Sequence, residues 1–407
     1  MSTRNRTIAS IDIGTNKITA VCGEIEDGGV TVIGCSTQPS YGVKKGVIIN
    51  MDSTVDSIKR ALDEVERMTG LDITVAVTGI SGSHIKGISN TGVVPLSSRE
   101  VKKADITSVL EAAKAVVIPT DREVIQIVPQ EFVVDDQDGI KDPLGMSGVR
   151  LESRVYIVTG AVAAAQNVIR CMNRSGLKVQ DIILQHFASA EAVLTDDEKE
   201  LGCALVDIGG GTTDVAVFSQ GCIRACSVLP IGGNHITSDI AIGIRTPLAE
   251  AEELKRTFGT ACPDHVESDA TIEIGCIGEP GRRTVSQRTL AQIINARVEE
   301  TITLVQNELI AAGYGDELPA GIILTGGTAL LRGIVDIAQK ILGMPVRVGT
   351  PLRVRGLNDV KSPVYAAAVG LVQFAARGCM LEKTASKRMF GFLGVGERMR
   401  QWFAEAF

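Results

Sequence analysis

Two stretches of the chain place an aspartate between an apolar strand and a glycine-rich turn. One is Leu205-Val206-Asp207-Ile208-Gly209-Gly210-Gly211-Thr212-Thr213-Asp214-Val215-Ala216-Val217; the other is Asp12-Ile13-Gly14-Thr15-Asn16-Lys17. A turn without Cβ atoms lets a polyanion come within hydrogen-bonding distance of backbone N–H groups, and threonine hydroxyls add donors. A carboxylate beside such a turn can hold a hydrated divalent cation next to phosphate. Either aspartate alone could simply cap its turn. Their paired occurrence favours chemistry: Asp12 and Asp207 facing across a cleft hold Mg²⁺ through water while the two hairpins grip phosphates from opposite sides. Lys17 is placed to reach a phosphate as a point charge.

Two further places suit the rest of a nucleotide. Gly326-Gly327-Thr328 ends an apolar strand and starts a helix, giving a flat surface for a planar base and a helix N-terminus for an anion; the alternative is a tight strand-to-helix turn. Glu252 and Lys255 share a face of the predicted helix Leu248–Phe258 and suit ribose or adenine edges, unless that face is merely solvated. No Ser/His/Asp arrangement is suggested. The four histidines (His84, His186, His235, His265) are dispersed and read as structural. The nine cysteines form no CxxC pair and read as small buried side chains of a reducing compartment. No residue stands out as a general base.

The elements that must position these residues repeat. At 407 residues the chain is too long for one ordinary core. Its 44% hydrophobic and 22% charged composition is globular, and a net charge of −7 argues against nucleic-acid binding. Strands Thr7–Ile13, Ile18–Ile25 and Val30–Cys35 lead to an amphipathic helix, Ser53–Met68, capped by Asp52 or Ser53 and ended by Gly70. A strand at Ile73–Val77 follows. The second half repeats the plan, with a long helix Leu290–Ala312 and a strand Gly321–Leu324. Helix, strand, helix then follow in each half: Ala161–Asn173, Val179–Leu184 and Ala188–Leu194, then Leu330–Leu342, Val346–Val348 and Val364–Ala376. This is an α/β chain of two related mixed-sheet domains around a cleft.

Two inserts break the symmetry. The expected division is a first core of 1–83 and 157–198 with an inserted lobe at 84–156, and a second core of 199–231 and 305–377 with an inserted lobe at 232–304. The loop Asp135–Gly148 in the first lobe reads as a polar connection. A linker, 378–388, then leads to 389–407. The last 18 residues hold the only Trp and four of the nine Phe. On a helical wheel Phe392, Val395, Met399, Trp402, Phe403 and Phe407 share one side, and Glu397, Arg398, Gln401 and Glu405 the other. That pattern fits an amphipathic helix lying in a membrane interface; the alternative is a terminal helix docked on the core. One such helix binds reversibly, so stable attachment needs several copies side by side. Met1–Thr7 carries no apolar signal core, so export by a cleaved signal is not expected, and no apolar run is long enough to span a bilayer.

The motifs at Asp12, Asp207 and Thr325-Gly326-Gly327-Thr328 resemble the first phosphate, second phosphate and adenosine motifs of the actin and heat-shock-chaperone ATPase superfamily. Within it, the chain resembles the FtsA family of bacterial cell-division proteins over essentially its whole length. Ile231-Gly232-Gly233-Asn234 leading into a helix, the insert after Gly82 and the amphipathic tail carry that likeness. The resemblance implies an actin-like ATPase fold of two RNase H-like domains, with ATP and Mg²⁺ between them and Gly232, Gly233 and Asn234 added to the site. It implies self-assembly into protofilaments on the inner face of the cytoplasmic membrane at the septum. It also implies tethering of FtsZ through that protein's C-terminal peptide, recruitment of later division proteins, and at most weak ATP hydrolysis. Arg297, at the base of the second lobe, is the implied contact for the acidic FtsZ peptide. The alternatives are a small-molecule kinase or phosphatase of the same superfamily, or an MreB-like shape-determining filament. The position of the first insert and the tail argue against the last.

Overall fold

The computed structural model describes residues 6–26, 29–275 and 282–385. Two sheets of the same plan form the frame. In the first, strands Lys178–Leu184, Val75–Ile80, Arg6–Ile13, Lys17–Glu26 and Gly29–Pro39 lie side by side in that order. In the second the order is Val346–Val348, Ile322–Thr325, Cys203–Ile208, Thr213–Ser219 and Cys222–Leu229. Each has an antiparallel three-strand meander whose first strand also pairs in parallel with a strand reached through helices. The apolar central strands are buried on both faces, which explains their nearly continuous hydrophobic runs.

The helix Met51–Thr69 shows how local sequence makes an element. Val55, Ile58, Ala61, Leu62 and Val65 form one buried stripe against the first sheet. Its cap is Asn50, whose side chain accepts from the Ser53 N–H at 3.0 Å, and not Asp52 or Ser53, which lie in the first turn. Gly70, at φ 69°, closes the other end with its N–H on the Glu66 carbonyl.

The first lobe is an antiparallel sheet of Lys86–Pro95, Arg150–Ala161, Arg122–Val134 and Gln137–Ile140, covered by helix Lys103–Lys114. The expected polar loop at Asp135–Gly148 therefore contains a strand. It pairs Phe132 with Ile140, and Asp135 Oδ1 accepts from the Val149 and Arg150 N–H groups. The second lobe has helices Gly233–Gly243 and Leu248–Phe258 and a hairpin, Thr271–Gly275 with Arg282–Ser286. All rest on the long helix Gln287–Ala311.

Three expectations fail in the last fifth of the chain. The helix predicted over Leu330–Leu342 is a short turn, Gly327–Leu330, and a separate helix, Ile334–Leu342, divided at Gly333 with φ 73°. The segment 305–377 stays with the second half only as far as Val346–Val348. Val354–Gly356 pairs in parallel with Gly29–Pro39, and helix Ala366–Ala385 covers the free face of the first sheet through Ala368, Val369, Val372 and Ala376. That helix also runs through Ala385, so most of the stretch read as linker is helical. In exchange, helix Gln185–Val193 of the first half reaches the second sheet, where Phe187, Ala190 and Val193 cluster with Leu205, Ala216 and Ile323. Among the described residues no helix is long and apolar enough to cross a membrane.

The two exchanged helices cross at Gly370. A Cβ there would lie 1.8 Å from the Ala188 carbonyl oxygen, so only glycine allows this approach. Gly370→Val should therefore force the helices apart and cost at least about 3 kcal/mol, the upper end of overpacking penalties. A large downward shift in thermal midpoint checks this; an unchanged midpoint would show that the crossing is not tight.

Candidate functional site

The turns of the two meanders meet tip to tip. A Cβ on Gly210 would sit 2.5 Å from Asn16 Cγ, and one on Gly211 2.6 Å from Thr15 Oγ1. These glycines admit the opposing turn as well as any anion. Asn16 and Asn234 exchange side-chain hydrogen bonds of 2.6 and 2.7 Å across the gap. Behind the tips opens a cleft of about 900 Å³, lined from both halves.

Three carboxylates face it. Asp12 accepts from Gln185 Nε2 at 2.6 Å, Asp207 from Ser189 Oγ at 2.6 Å, and Asp214 from Ser81 Oγ at 2.7 Å. Gln185 and Ser189 lie one helical turn apart on Gln185–Val193, so a single helix holds one aspartate from each half. Burial pushes the Asp12 carboxyl up, offset in part by Lys17. Burial, with the charge of Asp12, pushes Asp207 up to about 6 despite the Ser189 bond. Burial, with the charge of Asp207, pushes Asp214 to about 7. Buried carboxylates that repel one another suit a cation. Among the described residues these three do not form a cluster of donors within 4.8 Å of one another, so a small ion would be held through its waters and not by direct contact with all three.

The other predicted residues divide into cleft walls and braces. Gly14, Thr15, Asn16, Lys17, Gly209, Gly210, Thr212, Glu252, Lys255, Gly326 and Gly327 all line the cleft. Lys17 is folded back, 3.1 Å from Thr19 Oγ1 and 3.7 Å from Asp12, with its ammonium over the Tyr365 ring. Lys255 Nζ donates to Glu252 at 2.6 Å, Thr237 at 2.8 Å and the Gly233 carbonyl at 3.1 Å, which joins the helix pair of the second lobe to the cleft wall. Gly326, at φ 84°, has a role the sequence did not suggest: a Cβ there would lie 2.4 Å from Asp207 Oδ1. Gly211, Thr213, Gly232, Gly233 and Asn234 are not among the cleft-lining residues. The Gly233 and Asn234 N–H groups donate to the Gly209 and Gly210 carbonyls, the Gly232 N–H to His235, and buried Thr213 to the Ile231 carbonyl. Their part is to brace the turn from behind.

Sequence reasoning missed Gln185, Ser189 and Ser81, and left Asp214 out of the site. The available signal was a pair of polar residues four apart, Gln185 and Ser189, on the short helix that directly follows an apolar strand end. Arg256 and Arg332 also line the cleft and add cationic charge for an anionic ligand. His186, fully buried with neither ring nitrogen hydrogen-bonded, is pushed down to about 4 by burial and stays neutral 4.0 Å from Asp214. Arg297 lies outside the cleft on Gln287–Ala311, where Asp239 and Glu300 hold its guanidinium. Phe392, Val395, Met399, Trp402, Phe403 and Phe407 lie outside the described residues.

Comparison with known proteins bears on this geometry. A family profile described as "Cell division protein FtsA" matches residues 204–370, and one described as "SHS2 domain inserted in FTSA" matches 82–159. The cell division protein FtsA of Pseudomonas aeruginosa is 49% identical over 90% of this chain and 88% of its own length. That of Neisseria meningitidis is 42% identical over all of both chains, and that of Escherichia coli 36% over 100% and 99%. Among solved structures, the PilM-PilN type IV pilus biogenesis complex matches with a TM-score of 0.64 at 17% identity, covering 91% of this chain and 98% of its own. MreB5 of Spiroplasma citri bound to ADP matches with 0.58 at 17%, covering 92% and 98%. The fold is that of the actin-like ATPases, as expected from the sequence, and the lobe inserted in the first half is an SHS2 domain.

The raised carboxylates set a pH dependence. An ordinary aspartate titrates near 3.9, so between about pH 4 and pH 7 the folded, ligand-free chain holds more protons than the unfolded one. Its stability should fall as pH rises through that window, by an amount on the order of a few kcal/mol. Asp214→Asn removes the contribution of the carboxyl pushed to about 7. It should raise the thermal midpoint at about pH 7.5 and flatten the profile. A variant that melts below the parent at that pH would contradict the charge repulsion inferred here.

Proposed function

The chain belongs to the FtsA family of cell-division proteins, and on that premise we propose that it is an ATP-binding, filament-forming protein that ties the FtsZ ring to the inner face of the cytoplasmic membrane at the septum and recruits later division proteins. The observation that carries the nucleotide part is the cleft with buried Asp12 and Asp214 and half-buried Asp207 beneath two opposed glycine turns. It fits Mg²⁺ and a polyphosphate: the ion would be held through water by Asp12 and Asp207, and the bound ion would offset carboxylate and phosphate charge. Lys17 can swing from Asp12 toward a phosphate. Glu252 and Lys255 on one wall and Gly326-Gly327 on the other would hold the nucleoside.

The residues of this chain supply position and not an evident chemical step. Gln185 fixes Asp12 and Ser189 fixes Asp207, so a ligand that engages both aspartates has its best contacts only when the two sheets stand in one relation. Differential binding of that kind shifts the population toward a single, assembly-competent arrangement. Assembly through self-contacts then gives the tail its strength, because many weak interfacial helices act together. Family membership favours assembly over the small-molecule kinase or phosphatase alternative, and nothing in the composition supports a nucleic-acid partner.

The FtsZ C-terminal peptide would dock on the second lobe, with Arg297 as one contact. Asp239 and Glu300 already hold that guanidinium, so an acidic peptide must share or displace them.

Two measurements test this reading. Asp207→Asn should weaken Mg²⁺-dependent ATP binding at least about tenfold by equilibrium titration while leaving the fold intact; equal affinity would remove Asp207 from the site. Truncation after Ala385 should abolish pelleting with anionic liposomes and leave capture of an FtsZ C-terminal peptide unchanged. Undiminished pelleting of the truncated chain would place the membrane contact elsewhere.

A further inference from the structure

Away from the aspartates, the segment Thr260–Cys262 leaves the second lobe and runs beside Arg332. Thr260 forms a parallel bridge with Arg332, and the Ala261 N–H donates to the Arg332 carbonyl at 2.8 Å. This seats the Cys262 thiol at the head of helix Ile334–Leu342. The left-handed Gly333 makes the room, since a Cβ there would be 2.8 Å from Cys262 Sγ. The chain then turns through Pro263–His265 and brings His265 back over the thiol. Asp336 reaches the same point from the first turn of the helix, with Oδ2 3.9 Å from Cys262 Sγ. One donor atom from each of the three lies within 4.8 Å of the other two.

We propose that Cys262, His265 and Asp336 form a binding site for a thiophilic divalent cation, Zn²⁺ being the natural probe. Thiolate, imidazole and carboxylate together suit zinc, whereas Mg²⁺ and Ca²⁺ prefer all-oxygen sites. Ordinary zinc bond lengths put tetrahedral ligand atoms about 3.3–3.6 Å apart. The present spacing closes to that by small rotations of His265 and Asp336, both of which are exposed. With thiolate and carboxylate bound, the ion's two charges are neutralised, and water takes the fourth position. Binding forms the S–Zn bond and breaks the S–H bond, and the proton goes to solvent. The thiol must lose its proton to bind, so uptake should weaken as pH falls.

The site has a structural consequence. Cys262 and His265 belong to the second lobe, and Asp336 to a helix of the second core. A bound ion would clamp lobe to core. It would do so next to Gly259 and Arg332, both on the wall of the large cleft, so the clamp would also steady that wall.

The test uses the full chain stripped of metal and titrated with Zn²⁺ against a chromophoric chelator. One ion should bind, and Cys262→Ser, His265→Gln and Asp336→Asn should each weaken it at least about tenfold. Co²⁺ in place of Zn²⁺ should give a thiolate charge-transfer absorption that Cys262→Ser removes, and Zn²⁺ should protect Cys262 from alkylation, as read by peptide mass analysis. Unchanged zinc affinity in Cys262→Ser and His265→Gln, or a cobalt–thiolate band that survives Cys262→Ser, would assign the metal to other cysteines and overturn the proposal.

Discussion

One helix, Gln185–Val193, holds the two halves of the molecule in register. Through Gln185 it donates to Asp12 of the first sheet, and through Ser189 to Asp207 of the second. Asp12 is buried and Asp207 half-buried, and at such carboxylates a charge-assisted hydrogen bond is strong and its loss leaves a poorly compensated charge. The helix can do this only because its far face is pressed against Ala366–Ala385 at the Gly370 crossing. The chemistry of the cleft and the packing between the sheets thus depend on one short element of small residues.

The same arrangement explains why the cleft is costly to keep without a ligand. Asp12, Asp207 and Asp214 are desolvated together, and serine or amide partners do not fully offset their repulsion. A bound cation would offset that repulsion, and its uptake would strengthen the relation between the sheets that the helix sets. Ligand binding and interdomain geometry are therefore two aspects of one electrostatic balance.

The lobes are attached differently. The first is fastened to the edge of the second sheet: the Cys226 N–H donates to Tyr156 Oη at 2.8 Å, and Gln130 Nε2 to the Ile223 carbonyl at 2.6 Å. The second grows out of the cleft wall itself, since Lys255 and Glu252 face the ligand space while their helix packs into the lobe. Whatever docks on the second lobe is therefore mechanically close to the cleft, and a metal clamp at Cys262 would act on the same joint.

Much of this was legible in the chain. The strand, aspartate, glycine-turn pattern at Asp12 and Asp207, and the alternation of helices and strands after it, follow from local dihedral preference and burial period, which sequence encodes directly. Most of the residues predicted for the site also line the cleft, because a turn's conformation travels with its composition. What escaped depends on contacts between distant residues. Asn50 displaced the expected cap because the helix begins earlier than its apolar stripe. Gly333 split a predicted helix because an apolar run does not report a left-handed residue held by a tertiary neighbour. The Gln185–Asp12 bond spans 173 residues, the transfer of Ala366–Ala385 to the first sheet reverses a division that chain order suggested, and Asp336 meets Cys262 from 74 residues away. Sequence alone determined where the glycine turns with their flanking aspartates lie; tertiary packing decided which side chains hold the aspartates, which sheet the last described helix covers and which thiol meets a histidine and a carboxylate, because those partners are chosen by the closing of the core and not by any local pattern.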